Sequence, residues 1–235
     1  MALVKYGGGI VAMSGSIGGM TYAKNRSGNY VRAWSKPINP NTDRQDVVRS
    51  ALAYLADRWH STVTALQRAA WNLYAGNVVM KNALGEATYL SGYNHYIRSN
   101  MISVQLGIAP VDAGPTTFNI PEQDPAFALT ADASDGTLDF AFDDTMEWCD
   151  EVGAHMFIFQ GKTMNETINF FDGPWRALAH IEGDGETPPS SPEEDVSVVF
   201  AIDYNQNIFT YARILRADGR LSEPFRSADL TGDSP

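Results

Sequence analysis

Residues 135–142 read Asp-Gly-Thr-Leu-Asp-Phe-Ala-Phe, and this stretch decides the fold of the second half of the chain. Its first two residues are a turn signal, and then Leu138, Phe140 and Phe142 alternate with smaller or acidic residues. Successive side chains of a strand point to opposite faces of its sheet, so a period of two is typical of a β-strand with one buried face.

More runs of β-prone residues lie on both sides of this strand and are separated by turn residues. They are residues 129–131, 154–159, 175–181, 196–202 and 207–214, and a last run that begins at 220 after an Asp-Gly turn. Six or seven short strands in about 105 residues are typical of a β-sandwich. We therefore predict an acidic, all-β sandwich over residues 126–230, with a tail at 231–235 and a solvated loop at 182–195.

The pattern is different before the sandwich. Residues 107–125 contain four prolines and no hydrophobic period, which predicts a linker. Residues 37–106 are predicted to form a small three-helix unit. Two of its helices start at capping boxes, Thr42 with Gln45 and Thr64 with Gln67, and the third runs from about Ser91 to Leu106.

Each of the three helices is expected to bury one apolar stripe. The stripes are Val48, Leu52, Leu55 and Trp59 in the first helix, Leu66, Ala70, Leu73 and Tyr74 in the second, and Tyr93, Tyr96, Ile97, Met101 and Val104 in the third. The aromatic residues, with Trp59 and Trp71 at the centre, are expected to form the core of this unit.

Residues 1–36 are predicted to form a Gly-rich, basic arm followed by a β-hairpin. Two β-prone runs, 20–24 and 29–34, flank the turn signal Asn-Arg-Ser-Gly. An isolated hairpin is marginally stable in water, so this one must lie on the helices that follow or on a neighbouring chain. The complete prediction is an α+β multidomain protein with an arm, a hairpin, a three-helix unit and a sandwich.

The charge of the chain is divided between its two halves. Residues 1–110 carry 11 Lys and Arg and 4 Asp and Glu, whereas residues 111–235 carry 6 and 24, within a net charge of −11. Such a division concerns partners and assembly more than fold, since like subunits can attract each other head to tail.

Seven residues of the arm and hairpin are candidates for partner binding: Lys5, Tyr22, Lys24, Arg26, Tyr30, Arg32 and Trp34. Basic residues among aromatic ones would suit nucleic acid. Five basic residues in the first 36 are a modest number, however, and the acidic half would repel a polyanion. We expect a protein partner, because an unsatisfied hairpin with a Gly-rich extension suits the augmentation of a neighbour's sheet.

No catalytic, cofactor-binding or metal-binding residues are predicted, and the chain is expected not to be an enzyme. His155 and His180 fall in predicted strands and could meet across a sheet, but no metal-ligand spacing surrounds them. Acidic clusters such as Asp143-Asp144 lack the spacing of a calcium loop. Cys149 is the single cysteine, so an intramolecular disulfide is excluded.

Two stretches resemble known families. Phe209 to Pro224, with the words Tyr-Ala-Arg and Ala-Asp-Gly-Arg-Leu-Ser-Glu-Pro, resembles the last two strands of fibronectin type III-like domains. The first hundred residues resemble proteins encoded in the structural gene clusters of tailed phages and prophages. The shared words include Ser-Gly-Ser-Ile-Gly-Gly-Met-Thr-Tyr (14–22), Pro-Ile-Asn-Pro-Asn-Thr (37–42) and Gln-Arg-Ala-Ala-Trp (67–71).

The second resemblance implies a component of the virion, made in the host cytoplasm, and no particular activity. We expect a capsid-attached auxiliary or decoration protein, present in several copies and bound to the major capsid protein or another virion protein. The alternatives are a tail or head-tail connector component, a host-surface or glycan-binding module with exposed tryptophans such as Trp148 or Trp175, and a DNA-packaging accessory. No membrane partner is expected.

Overall fold

The computed structural model describes residues 2–25, 28–82 and 84–230, and in them three helices are combined with several antiparallel sheets. The helices are α1 Asp43–Ser61, α2 Ala65–Asn77 and α3 Gly92–Gln105. The strands are β1 Ala2–Leu3, β2 Gly15–Ile17, β3 Met20–Asn25, β4 Gly28–Ala33, β5 Met80–Lys81, β6 Ala87–Thr88, β7 Ala128–Asp132, β8 Thr137–Ala141, β9 His155–Gly161, β10 Met164–Asn165, β11 Trp175–Glu182, β12 Glu193–Ser197, β13 Gln206–Leu215 and β14 Phe225–Leu230.

The helices begin where the capping residues predict. In both boxes the threonine hydroxyl accepts from the backbone N–H of the glutamine, and the glutamine side chain accepts from the backbone N–H of the threonine. Ser91 caps α3 in a similar way by accepting from the N–H of Asn94. These contacts satisfy backbone donors that the first turn of a helix leaves without partners.

Aromatic rings form the centre of the helical unit. Trp71, Tyr74 and Tyr96 are fully buried, and the Trp71 ring meets the other two edge-on, at centroid distances of 6.1 and 5.8 Å. Trp59 packs on Tyr96 from α1 at 5.2 Å. The prediction of an aromatic core is confirmed.

The predicted apolar stripes are wrong in part. Leu55 and Trp59 are buried in α1, but Val48 and Leu52 are 37% and 45% exposed, and Ala51 takes the buried position instead. In α2, Leu66 and Leu73 are 84% and 57% exposed, while Trp71, Tyr74 and Ala75 are buried. Each of these helices packs on α3 along one side, so its remaining apolar residues have no helix to cover them.

The segment 107–125, which we expected to be a linker, is held against the helices through Asp112. The Asp112 carboxylate accepts two hydrogen bonds from Arg58, at 2.8 and 2.6 Å, and one from the Tyr96 hydroxyl at 3.1 Å. Its backbone oxygen accepts from the Trp71 indole at 3.0 Å. The proline-rich composition of the segment disfavours a helix or strand, and around Asp112 its polar groups are satisfied by the helical unit instead.

Other contacts extend this attachment. The Asn100 side chain both donates to and accepts from the backbone of Val111, at 3.1 and 2.6 Å. A Cβ on Gly114 would lie 2.5 Å from the backbone nitrogen of Trp71, so only glycine allows the segment to pass this close to α2. Residues 111–114 therefore belong to the helical unit, whereas the end of the segment bonds the β-unit through Asp124, which accepts from the Asp143 N–H, and Gln123, which donates to the Pro224 carbonyl.

Residues 126–230 form the β-unit, in which two antiparallel sheets enclose a common core. The smaller sheet has the order β12-β8-β7, and the larger has β11-β9-β13-β14, with β10 also paired to β13. Leu138 and Phe140 of the smaller sheet pack with Met156, Ile158 and Ile214 of the larger one. The change of hydrophobic period in the sequence thus marks a real change of architecture.

Two strand boundaries differ from the prediction. Strand β12 is Glu193–Ser197, so it begins inside the segment 182–195 that we expected to be a loop, and it ends before residues 198–202. The side-chain oxygen of Gln160 accepts from the N–H groups of Val199 and Phe200, which removes them from the ladder. The last strand starts at Phe225 rather than at 220, because residues 220–224, which follow the turn at 217–219, touch β13 only through the bridge between Leu221 and Leu215.

The helical unit packs on the outer face of the larger sheet. Ile102 of α3 joins a buried cluster with Phe157, Leu215 and Leu221. The Arg98 guanidinium, 14% exposed, donates to the carbonyls of Leu221 and Ser222 and to Glu223, at distances from 2.8 to 3.1 Å. The molecule therefore has three layers in the order helices, larger sheet, smaller sheet; independent folding of residues 126–230 stays a prediction.

Replacing Asp112 should destabilise the whole protein. Asp112→Ala leaves the half-buried Arg58 without its bidentate partner, and breaking such a pair costs about 3 kcal/mol. Chemical denaturation should show this loss. The control Asp150→Ala, at an exposed carboxylate without a hydrogen bond or ion pair among the described residues, should change stability by less than about 0.5 kcal/mol. Equal stabilities of the two variants would contradict the role of Asp112.

Acid should weaken the helical unit through His95. This side chain is 1% exposed, and neither of its nitrogens has a partner among the described residues. Burial, and then the nearby Arg98, lower its pKa from 6.5 to about 4. Because the unfolded chain takes up the proton first, the free energy of unfolding should fall by up to about 3 kcal/mol as the pH drops from about 6.5 to about 4.

Urea denaturation at a series of pH values measures this effect. The variant His95→Met should lose that part of the pH dependence, whereas His60→Gln, at an exposed histidine, should keep it. An unchanged pH profile for His95→Met would show that other groups cause the acid sensitivity.

Candidate functional site

The N-terminal sheet, strands β1 to β4, is the candidate site for a partner. Its strand order is β1-β4-β3-β2, and all pairs are antiparallel. The predicted hairpin is confirmed as β3 and β4, while β1 and β2 add strands from the region that we expected to be an arm without structure. The outer edges of β1 and β2 have no neighbouring strand among the described residues.

No residue of these four strands is fully buried. A sheet in water normally gains its stability by covering one apolar face with another layer. Here the apolar side chains remain accessible, with Ile17 72% and Met20 50% exposed. Among the described residues, neither face of the sheet has a fully buried side chain, and its two outer edges have no neighbouring strand.

The cross-strand register divides the predicted residues between the two faces. Tyr22 lies opposite Val31 and on the same side of β3 as Lys24. Tyr30 lies opposite Ala23, and Arg32 lies opposite Thr21, on the other face. Each face thus combines one tyrosine, one basic residue and small or apolar neighbours, so neither is a purely electrostatic surface.

The remaining candidates lie at the margins of the sheet. Trp34 follows β4 and is 65% exposed, and its backbone N–H donates to the Gly19 carbonyl at 2.7 Å. Lys5 follows β1 and forms an ion pair with Glu86. Arg26 lies outside the described residues. The structure thus places the described candidates within or beside one sheet but does not gather them into one pocket.

A small contact joins this sheet to the helical unit. The Lys5 ammonium hydrogen-bonds the Glu86 carboxylate in the turn between β5 and β6, and this bond, together with that from Asn82, lowers the pKa of Glu86. Both partners are largely exposed, so the pair contributes little to stability. The Lys5–Glu86 pair is a small contact just after β1, and it does not cover the faces of the sheet.

Residues 35–42 connect the sheet to α1 as an exposed, extended segment. Its conformation is held by Arg49, which donates to the Asn39 and Asn41 side-chain oxygens and to Asp46.

The apolar residues of the arm and the helices were missed as candidate contacts. Ile10, Val11 and Ile17 lie among glycines and follow neither a helical nor a strand period. The hydrophobic pattern of the sequence therefore did not mark them. On the helices, several apolar side chains are exposed: Val47, Val48, Leu52, Leu66 and Leu73. Four of these residues, Val48, Leu52, Leu66 and Leu73, were predicted as core. Their hydrophobicity was noted, but it was assigned to the interior and not to the exposed surface where they lie.

The β-unit has a cleft of about 450 Å³ beside Trp148. Trp148 is 1% exposed, so its ring cannot serve as the exposed aromatic platform of a glycan-binding face, and that expectation is wrong for this residue. The two arginines of the cleft are engaged, Arg216 with Glu147 and Glu151, and Arg220 with Asp218. Three carboxylates, Glu122, Asp143 and Glu147, line the cleft beside these two paired arginines.

The histidines and the cysteine fit structural roles. His155 and His180 meet across the β9–β11 pair with ring centroids 5.7 Å apart, as the sequence suggested. Among the described residues no group of three or more His, Cys, Asp or Glu side chains could hold a metal ion. Cys149 is buried, and burial followed by nearby carboxylates raises the pKa of its thiol to about 12, so it is held as a neutral thiol.

No protein-family model matches the chain, and no curated protein matches it. Within the described part of the chain, no helix has the length and apolar character needed to span a bilayer. The function therefore has to be inferred from the geometry and charge of this molecule.

Hydrogen exchange should show how weakly the N-terminal sheet is held. In the isolated chain we expect the amides of β3 and β4 to exchange more than about tenfold faster than those of β9 and β13, because β9 is buried on both faces and β13 is a central strand of the larger sheet with one buried face. Mass-spectrometric exchange on peptides of both regions measures the ratio. Equal protection would mean that the sheet is stable without a partner.

Proposed function

We propose that the protein is a non-enzymatic structural component of a tailed-phage particle, built into the particle through its N-terminal sheet and helices. A capsid-attached auxiliary or decoration protein is the best-supported form, with the acidic β-unit displayed outward. The observation that carries the proposal is the uncovered N-terminal sheet, whose free edges and faces are suited to augmentation or covering by a neighbouring subunit.

The exposed apolar residues of the helices support the same proposal. Val47, Leu52, Leu66 and Leu73 lie on the outside of α1 and α2, on the side of the molecule away from the β-unit's smaller sheet. Exposed apolar surface of this kind marks sites of contact between proteins. The resemblance of residues 14–71 to proteins of phage structural gene clusters gives the proposal its biological setting.

We further assign the β-unit to the fibronectin type III-like sandwiches. Its first, second and fifth long strands (β7, β8 and β12) form one sheet, and the other four (β9, β11, β13 and β14) form the second. The stretch that resembles the fibronectin type III ending, residues 209–224, occupies β13 and the turn before β14. This fold supports display or spacing in an assembly and specifies no ligand.

A tail or head-tail connector component is the second form of the proposal, since these positions also need a subunit with an uncovered sheet. The expectation of a glycan-binding module loses the support of Trp148, which is buried, while Trp175 is half-buried beside Phe171 and Tyr211. Basic residues suited to DNA packaging are too few beside the acidic β-unit.

Deleting residues 1–36 should abolish incorporation into particles. The deletion removes the N-terminal sheet, which contributes no buried residue to the rest of the fold, so the remaining chain should still unfold cooperatively. Mass spectrometry of purified particles, made in cells that supply either the full chain or the deletion variant, measures incorporation.

The control for this experiment is the double variant Arg44→Glu, Lys81→Glu, which changes two exposed basic residues outside the sheet. It should be incorporated as well as the natural chain. Absence of the full chain from particles would overturn the proposed function, and normal incorporation of the deletion variant would show that attachment runs through another surface.

A further inference from the structure

We infer that the N-terminal sheet docks on the acidic smaller sheet of the β-unit of a second copy of this chain, so that copies associate head to tail. This inference deepens the proposed function, on which it rests, by naming the partner of the N-terminal sheet. It leaves the apolar faces of α1 and α2 for contact with the particle.

The N-terminal region and the smaller sheet of the β-unit carry charges of opposite sign. Residues 1–42 contain five basic residues and no acidic one: Lys5, Lys24, Arg26, Arg32 and Lys36. The smaller sheet of the β-unit has the opposite composition, because β7, β8 and β12 contain five acidic residues and no Lys or Arg: Asp132, Asp139, Glu193, Glu194 and Asp195. Each sheet thus offers a surface of one sign.

The connections beside the smaller sheet strengthen its charge. Residues 126–154 and 183–205 together hold 14 of the chain's 28 acidic residues and no Lys or Arg. Arg216, from β13, reaches Glu147 and Glu151 of this set. Apart from Asp203, the other carboxylates of this set form no ion pair among the described residues, so the layer carries a large excess of negative charge.

The smaller sheet and the N-terminal sheet lie in different parts of the molecule. The smaller sheet is the outermost layer of the β-unit, since Leu138 and Phe140 face the core and Asp139, between them, faces outward. The N-terminal sheet is attached to the helical layer through the Lys5–Glu86 pair. No ion pair among the described residues joins the N-terminal sheet to the β-unit, so the opposite charges are not satisfied within one chain.

The surfaces also suit each other in shape. The outward side chains of β7 and β8 are small or acidic, with Ala128, Thr130 and Ala141 beside the carboxylates. Small residues let the longer side chains of a facing sheet, such as Met20 and Tyr22, approach the backbone. Stacked sheets pack about 10 Å apart, a distance that Lys24, on the same face as Met20 and Tyr22, can span to reach a carboxylate.

Like charges exclude the symmetric alternatives. Pairing two N-terminal sheets brings basic residues together, and pairing two smaller sheets brings carboxylates together, and like-charge contacts of this kind suppress wrong partners. A contact between two different surfaces of the same chain is heterologous, and such contacts generate rings or open chains of subunits. We therefore expect oligomers that grow with concentration rather than a closed two-fold dimer.

Two charge-reversal variants test the contact. The variant Lys24→Glu, Arg32→Glu changes the N-terminal sheet, and Glu193→Lys, Glu194→Lys changes two exposed carboxylates that have no hydrogen bond or ion pair among the described residues. Sedimentation velocity on the full chain at about 10 mM salt, where the Debye length is about 30 Å, should show association of the natural protein that salt weakens. Each variant alone should associate at least about tenfold more weakly.

Mixing the two variants gives the sharpest result. In an equimolar mixture, the two glutamates introduced into the N-terminal sheet of one variant can pair with the two lysines introduced into β12 of the other, and the two unchanged surfaces also complement each other. The mixture should regain association that neither variant shows by itself. The matched controls Arg44→Glu, Lys81→Glu and Glu122→Lys, Glu166→Lys carry the same charge changes at exposed positions elsewhere and should associate like the natural chain.

A natural protein that stays monomeric at low salt and high concentration would overturn the inference, as would variants whose mixture shows no recovery although each retains its thermal transition. Equal weakening by the control variants would show a general effect of net charge and would also overturn it. Particle incorporation is measured separately. Self-association of a chain that is absent from particles would refute the proposed function alone, and incorporation of a chain that never self-associates would refute this inference alone.

Discussion

The Asp112 carboxylate and carbonyl join the parts on which the rest of the structure depends. Arg58 of α1, Trp71 of α2 and Tyr96 of α3 all donate to this one residue. Helices α2 and α3, of 13 and 14 residues, are at best marginally stable alone in water, so their packing depends on contacts that they share with α1. By holding the segment between the helices and the β-unit, Asp112 also sets where α3 meets the larger sheet.

Because the helices lie on one face of the larger sheet, the two sides of the molecule differ in chemistry. The helices cover one face of the larger sheet, and the smaller sheet covers the other, so the two ends of this stack have different chemistry. At the helical end lie the basic N-terminal sheet and exposed apolar residues, and at the opposite end lies a layer without Lys or Arg. A monomer gains nothing from such polarity, because opposite charges lower the energy only when they approach each other.

The sequence predicted the elements better than it predicted their burial. Capping boxes at Thr42 and Thr64 mark helix starts through local hydrogen bonds, which the sequence contains in full. Burial of Leu52 or Leu73 depends on which neighbours a helix meets, and that information is not local. The segment 107–125 shows the same limit, since its prolines indicate an irregular path while the contacts of Asp112 and Asn100 are long-range. For the candidate site, the hairpin and its basic residues were predictable from turn and charge patterns, whereas the short strands β1 and β2 pair within a region of glycines that has no period.

The two regions of the chain also divide stability from attachment. The helices and β-unit have buried aromatic and aliphatic cores and satisfied long-range hydrogen bonds, so they can persist without a partner. The N-terminal sheet has backbone pairing but no buried residue, so the free energy that would order its faces must come from surface covered by another molecule. A region built in this way can exchange between a loosely held state in the free chain and a fixed state in an assembly, because the transition leaves the core unchanged. In the contact inferred above, charges of one sign make the N-terminal sheet selective, because it repels copies of itself and attracts an acidic sheet.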